Sequence, residues 1–206
     1  MTIPNDHRLW ASILLRVHAR FPNAIIGGGA IRDNYFNLAP KDIDVFVPVQ
    51  TEEDFVNNMG LLGAELHPVH DARKAQIEEY DEWEKGHLIG VATVIMHGYE
   101  VQLIARRNHV VGAEMEMVSK FDGGCNQAFY ALGMPIVMTE DCAKDWRERT
   151  YTDVVGGPWT RERYDRFNSR NPGVLRWVSY SDYLSDTGRL DEVTCAKCLD
   201  PLCICP

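Results

Sequence analysis

The chain has 206 residues, 45% of them hydrophobic and 25% charged, a composition that suits one well-packed core. No apolar run approaches the roughly 20 residues of a membrane span, and the opening MTIPNDHRLW lacks the basic stretch and apolar core of a secretion signal. The net charge of −9 argues against a long duplex footprint, which needs a basic patch, and is compatible with a local grip on a strand end.

Six cysteines raise the question of export, but four crowd the last twelve residues, unlike the spread of a disulfide framework. The chain therefore reads as cytoplasmic. At the start, Asn5 or Asp6 caps a helix running to about Phe21. Leu9, Trp10, Ile13, Leu14 and Val17 form its apolar stripe. Pro22 and Asn23 end it.

The next stretch, AIIGGGAIRDNYFNLAPKDIDVFV, carries most of the chemistry. Ala24, Ile25 and Ile26 read as a buried strand. Gly27, Gly28 and Gly29 end it with a turn that lets a ligand approach the main chain. Ala30 to Phe36 fits a short helix, whose first N–H groups, with Arg32 beside them, suit a phosphate. A second strand begins near Asp42 and reaches Val49. On it Asp42 and Asp44 project to one face, while Ile43 and Val45 project to the other. Two adjacent carboxylates repel unless a cation neutralises them. Mg²⁺ takes one or two carboxylates plus substrate phosphate oxygens. A glycine turn alone is usually only a turn, and a lone Asp-x-Asp is often a solvated strand end. Joined in this order, thirteen residues apart, they point to phosphoryl chemistry.

GGGAIRD followed by KDIDVFV resembles the head domain of tRNA CCA-adding enzymes and bacterial poly(A) polymerases, within the DNA polymerase β-like nucleotidyltransferases. Gly28, Gly29, Arg32, Asp33, Lys41, Asp42 and Asp44 match that pattern position by position. The resemblance implies an α+β fold, with a mixed, mostly antiparallel sheet and helices packed on one side. It implies that Asp42 and Asp44 hold two Mg²⁺ ions and that the Gly28–Arg32 turn holds the triphosphate of an NTP.

Further along, Thr51-Glu-Glu-Asp54 opens a helix to about Leu62. Residues 71–85, with six acids against three bases, read as a solvated excursion. Leu88 to Met96 and Tyr99 to Ala105 read as two strands around a His97-Gly98 turn. The resemblance makes Glu100 the third carboxylate of the metal set and Arg106 the closing arginine, with Arg107 as its substitute. Val110 to Lys120 fits a methionine-rich helix. FDGGCNQAFYALG then takes the place of the family's Arg-Arg-Asp-Phe-Thr-x-Asn-Ala. Asp122 and Asn126 match and are implied to sit near the sugar and base. Phe121 replaces an arginine and Gly123-Gly124 replaces Phe-Thr; the alternative reading is a glycine turn followed by a helix, Cys125–Leu132.

Pro135 to Met138 reads as a short strand and Thr139 as the cap of a helix to about Arg147. Gly156-Gly157-Pro158 marks a boundary. This gives a head domain over 1–157, a helical neck-like extension over 158–190 and a cysteine-rich tail over 191–206. The extension opens with WTRERYDRFNSRN, where Arg163 and Arg166-Phe167 resemble a neck motif. Cys195, Cys198, Cys203 and Cys205 either hold one tetrahedral Zn²⁺ or are free thiols of a tail.

The implied function is metal-dependent transfer of a nucleoside monophosphate from an NTP to a hydroxyl, an RNA 3′ end such as that of tRNA. The acidic balance leaves a protein or small-molecule acceptor as the alternative. A non-catalytic NTP- or RNA-binding module is disfavoured by the presence of all three carboxylates.

Overall fold

The computed structural model describes residues 7–65, 88–107 and 109–188. The charged stretch 71–85 and the four tail cysteines lie outside these. The described chain falls into two compact units, one of residues 1–120 and 126–139, the other of residues 121–125 and 140 onward. The Gly156-Gly157-Pro158 segment lies within the second unit.

Helix α1 (His7–His18) opens the first unit and buries Trp10, Ile13, Leu14 and Val17, four of the five stripe residues. Strand β1 (Ile25–Gly27) leads into α2 (Gly29–Tyr35), then β2 (Asp42–Val47) and α3 (Glu52–Glu65). Thr51 caps α3, its hydroxyl oxygen accepting the Asp54 N–H at 3.1 Å. Strands β3 (Leu88–Met96) and β4 (Tyr99–Arg106) form the expected hairpin, with φ of 53° at His97 and 83° at Gly98.

The expected helix over Val110–Lys120 is only α4 (Glu114–Val118). Gly112, at φ 89°, turns the chain before it can start. The alternative helix over Cys125–Leu132 is not formed. A short 3₁₀ turn (Gly124–Asn126) leads instead to β5 (Ala128–Ala131), and β6 (Val137–Met138) follows. Backbone pairing decided this: β5 docks antiparallel on β1, Ile26 opposite Tyr130, and Phe and Tyr favour that pleated site.

The six strands run in the order β3-β4-β2-β1-β5-β6. Only β2 and β4 pair in parallel; the other neighbours are antiparallel. Paired residues share a face, so the register sorts the sheet. One face carries Ile26, Ile43, Val45, Val101, Leu103 and Tyr130, all buried. Trp10 of α1 packs on it, 5.6 Å from the Tyr130 ring. The other face carries Asp42, Asp44, Glu100 and Gln102 at one end and the buried Phe46 and Ile104 beyond.

After β4, His109 is 1% exposed, and neither ring nitrogen completes a hydrogen bond among the described residues. Burial lowers its pKa below the ordinary 6.5, against the raising pull of Glu114 and the Val47 backbone. The unfolded state therefore binds the proton more readily. Stability from a neutral His109 is fully present above pH 6.5 and is lost as pH falls through the depressed folded value. Urea unfolding across this window should show an acid loss that shrinks in His109→Leu. An equal loss in both proteins refutes the assignment.

The second unit contains α5 (Glu140–Glu148), β7 (Thr150–Thr152), α6 (Pro158–Arg170), β8 (Arg176–Val178) and α7 (Tyr180–Thr187). β7 and β8 pair in parallel, and Tyr151, Tyr164, Phe167 and Trp177 cluster beside them. Neither β8 nor α7 is among the elements expected from the sequence. Three residues are too few to show a period. The signals for α7 are present, in the Ser179 cap, which accepts the Asp182 N–H, and in Gly188 at φ 71°.

Helix α5 holds the 123–125 turn. Trp146 Nε1 donates to the Cys125 carbonyl at 2.9 Å. Asp145, 1% exposed, accepts from Thr150 Oγ1 at 2.6 Å, Thr152 Oγ1 at 2.5 Å and the Thr152 N–H at 3.1 Å. Burial raises its pKa, and these hydrogen bonds oppose the rise. This packing explains Gly123-Gly124. A Cβ at Gly124 meets Asp145 Oδ2 at 2.8 Å, and one at Gly123 meets the Tyr151 ring at 2.6 Å. Neither neighbour is a loose surface side chain. Gly124→Ala should cost about 1–3 kcal/mol of stability by overpacking. A melting temperature equal to that of the parent contradicts this.

Candidate active site

The glycine turn is built from the first unit alone. Gly28, at φ 74° and ψ −135°, adopts a backbone that a side chain would strain, and it caps α2. Its N–H donates to the Ala128 carbonyl of β5 at 3.1 Å, and its carbonyl accepts from Ile31 and Arg32. A Cβ at the preceding Gly27 meets the Phe46 ring at 2.9 Å, so β1 lies tight against β2 where the turn begins.

β2 and β4 bring the acids together. Their parallel register sets Asp42 directly opposite Glu100 and Asp44 opposite Gln102. Asp42 and Asp44 are half-buried and Glu100 is exposed, so this end of the face meets solvent while Ile43, Val45 and Val101 behind it do not. Lys41 Nζ lies 3.2 Å from Asp42 Oδ2, with 63% of its side chain exposed. Three carboxylates and one lysine leave a net negative site.

Arg32 lies beside the glycine turn, where a Cβ at Gly29 would meet its Nη2 at 3.5 Å. Its side chain is 7% exposed and turned inward. Nε and Nη2 donate to Asp33 Oδ1 at 2.8 and 2.6 Å, and Nη1 donates to Asn126 Oδ1 at 2.8 Å. The three residues tie α2 to the end of the 3₁₀ turn. Arg106 is set apart from Glu100. It is buried at the opposite end of β4 from Glu100, six residues and therefore about 20 Å away along the strand. Asp122 belongs to the second unit, where it accepts from Arg163 Nη1 at 2.9 Å, while Asn126 belongs to the first. Two site partnerships are not legible in the sequence: Asn126 with Arg32, and Arg163 with Asp122. Both join residues too distant in sequence for any spacing rule.

Among the described residues no three or more His, Cys, Asp or Glu side chains are grouped closely enough to hold a metal ion by themselves. Mg²⁺ does not require such a group, because nucleotide phosphates and water complete its octahedron. Asp42, Asp44 and Glu100 supply hard carboxylate oxygens from one sheet face, a donor set that fits Mg²⁺ and not a soft metal. No helix among the described residues is long and apolar enough to cross a membrane.

No family model matches this chain, and no curated protein sequence does. Solved structures match its fold. A tRNA-processing enzyme in an apo form is 14% identical, with a TM-score of 0.58 over 93% of this chain and 50% of that one. The Thermotoga maritima CCA-adding enzyme complexed with tRNA is 17% identical, with a TM-score of 0.57 over 94% and 45%. A CCA-adding enzyme complexed with ATP is 15% identical, with a TM-score of 0.58 over 94% and 44%. The chain spans about half the length of these structures. At such identity the likeness is one of fold alone, an α+β arrangement with a mixed, mostly antiparallel sheet.

Proposed function

We propose that this chain is a nucleotidyltransferase that moves a nucleoside monophosphate from an NTP to the terminal hydroxyl of an RNA. The observation that carries the reading is the register of β2 and β4, which sets Asp42 opposite Glu100, with Asp44 on the same face. The choice of RNA is supported by the solved structures of similar fold, which include a CCA-adding enzyme complexed with tRNA.

In this reading the acceptor hydroxyl oxygen bonds to the α-phosphorus of the NTP. The bond from that phosphorus to the β-phosphate oxygen breaks, and pyrophosphate leaves. Asp42, Asp44 and Glu100 are the residues that hold Mg²⁺, which when bound neutralises phosphate charge and acts as a Lewis acid. Glu100, the exposed member, takes the hydroxyl proton on its carboxylate in this reading. The Gly28-Gly29 turn receives the triphosphate through its backbone, and Lys41 adds positive charge beside Asp42. Arg32 and Asp33 keep that turn in shape. Asn126, in the same unit as the acids, is assigned to the sugar and base.

The test is incubation of the protein with each labelled NTP, Mg²⁺ and total RNA or lysate. Label in RNA and release of pyrophosphate are expected. Label in a protein band or a small molecule replaces the acceptor. Binding of NTP with no label anywhere replaces the enzyme with a binding module.

A further inference from the structure

The proposed chemistry leaves one flank of α6 unused. Trp159, Arg163, Arg166 and Arg170 are four, three and four residues apart, so they form a single stripe along the helix. Thr160, Tyr164 and Phe167 form the buried row beside it. The stripe is about 16 Å long at 1.5 Å per residue. Trp159, at its head, is 49% exposed, with Val155 nearby in sequence at 47%. Arg166 and Arg170 are exposed, and neither meets a carboxylate among the described residues. Arg163, between them and the tryptophan, is already paired with Asp122. On the other side of the helix Asp165 is tied to Arg161 at 3.1 Å. Glu162, one turn before Arg166, makes no ion pair among the described residues.

We propose that Trp159, Arg166 and Arg170 form a docking surface for a short single-stranded nucleic acid. Its phosphates meet the two guanidinium groups, and one of its bases stacks on the indole. Guanidinium is a planar fork that matches phosphate oxygens. An indole half in water, seven residues or about 10 Å from Arg166 along the helix, offers a stacking platform, which suits any unpaired base because every base has a π-face. A duplex hides its base faces, and the net charge of −9 opposes a long duplex track. An acidic polypeptide satisfies the arginines and leaves the indole uncovered. The inference rests on the transferase reading for its purpose, as the place where an acceptor strand is gripped, and its test keeps the two apart.

The full chain is titrated into a fluorescein-labelled oligouridylate of about 12 nucleotides, a length within known single-strand site sizes, and anisotropy is read over a salt series. Trp159→Ala should weaken binding about tenfold. Arg166→Glu with Arg170→Glu should weaken it by at least about tenfold. It should also lower the slope of log affinity against log salt by about 1.4, the loss of two phosphate contacts. Circular dichroism checks that each variant is folded, and MgATP binding should be unchanged in all of them. The proposal is overturned if the folded variants bind the strand like the parent, or if a duplex of the same length binds as tightly as the single strand. It is also overturned if polyglutamate competes equally well and Trp159→Ala has no effect. A chain that binds the strand on this flank but binds no MgATP keeps the surface and removes the transferase reading.

Discussion

Asp42→Asn combined with Asp44→Asn should lower nucleotidyl transfer by at least about 10³-fold, because several kcal/mol of charge neutralisation at the reacting phosphate is removed. The same variant should be at least as stable as its parent. Both side chains are half-buried at the solvent-facing end of β2. The substitution breaks the exposed Lys41–Asp42 pair, worth about 0–1 kcal/mol. Against this, removing two charges beside Glu100 relieves like-charge repulsion. Stability and activity therefore move in different directions, as expected where acids are kept together for chemistry. The check is a pair of measurements on one preparation: urea unfolding and the rate of label transfer. Transfer at the parental rate in the folded double variant removes the acids from the reaction.

Arg32→Ala should behave in the opposite way, as a lesion of stability first. It takes the guanidinium from the Asp33 carboxylate, 3% exposed, and removes the donor that meets Asn126 Oδ1. Breaking such a buried pair costs about 3–5 kcal/mol. Combining Arg32→Ala with Asp33→Asn should recover part of this, because the buried carboxylate is then neutral. In that recovered background ATP and AMP binding should fall together, since the turn loosens as a whole. Asn126→Ala should give a milder version, about 1–3 kcal/mol, non-additive with Arg32→Ala because the two share one network. If Arg32→Ala instead keeps parental stability and loses ATP while retaining AMP, the guanidinium reaches the outer phosphates, as the family resemblance implies.

These two predictions differ because the sequence shows residue types in order but not which way a long side chain turns. Arg32 follows a glycine turn, and a cation there reads naturally as a phosphate ligand. Its direction is set by Asn126, ninety-four residues later, which comes within hydrogen-bond range only after β5 has docked on β1. Arg106 presents the same problem along a strand: its place at the end of YEVQLIAR is legible, but its distance from Glu100 follows only when that stretch runs straight as β4. Gly123-Gly124 looks like a departure from a motif. The structure gives it a steric cause in Tyr151 and Asp145, twenty-one or more residues downstream.

Local patterning alone determined a good deal. The stripe of α1, the glycine turn into α2, the Thr51 cap of α3 and the β3–β4 hairpin all depend on residues within a few positions of one another. Propensity, capping and turn chemistry act over that range, so these elements are legible in a linear string. The pairing of Asp42 with Asp44 is equally local, since alternate residues of a strand share a face. Tertiary structure decided what depends on partners distant in sequence. It made 128–131 a strand where a helix was also readable, because an open edge of β1 was waiting for it. It set β2 parallel to β4, and this register alone puts Glu100 beside Asp42, fifty-eight residues away. Strand register is fixed by which hydrophobic face must be buried across the whole sheet, a condition that no short window of sequence contains.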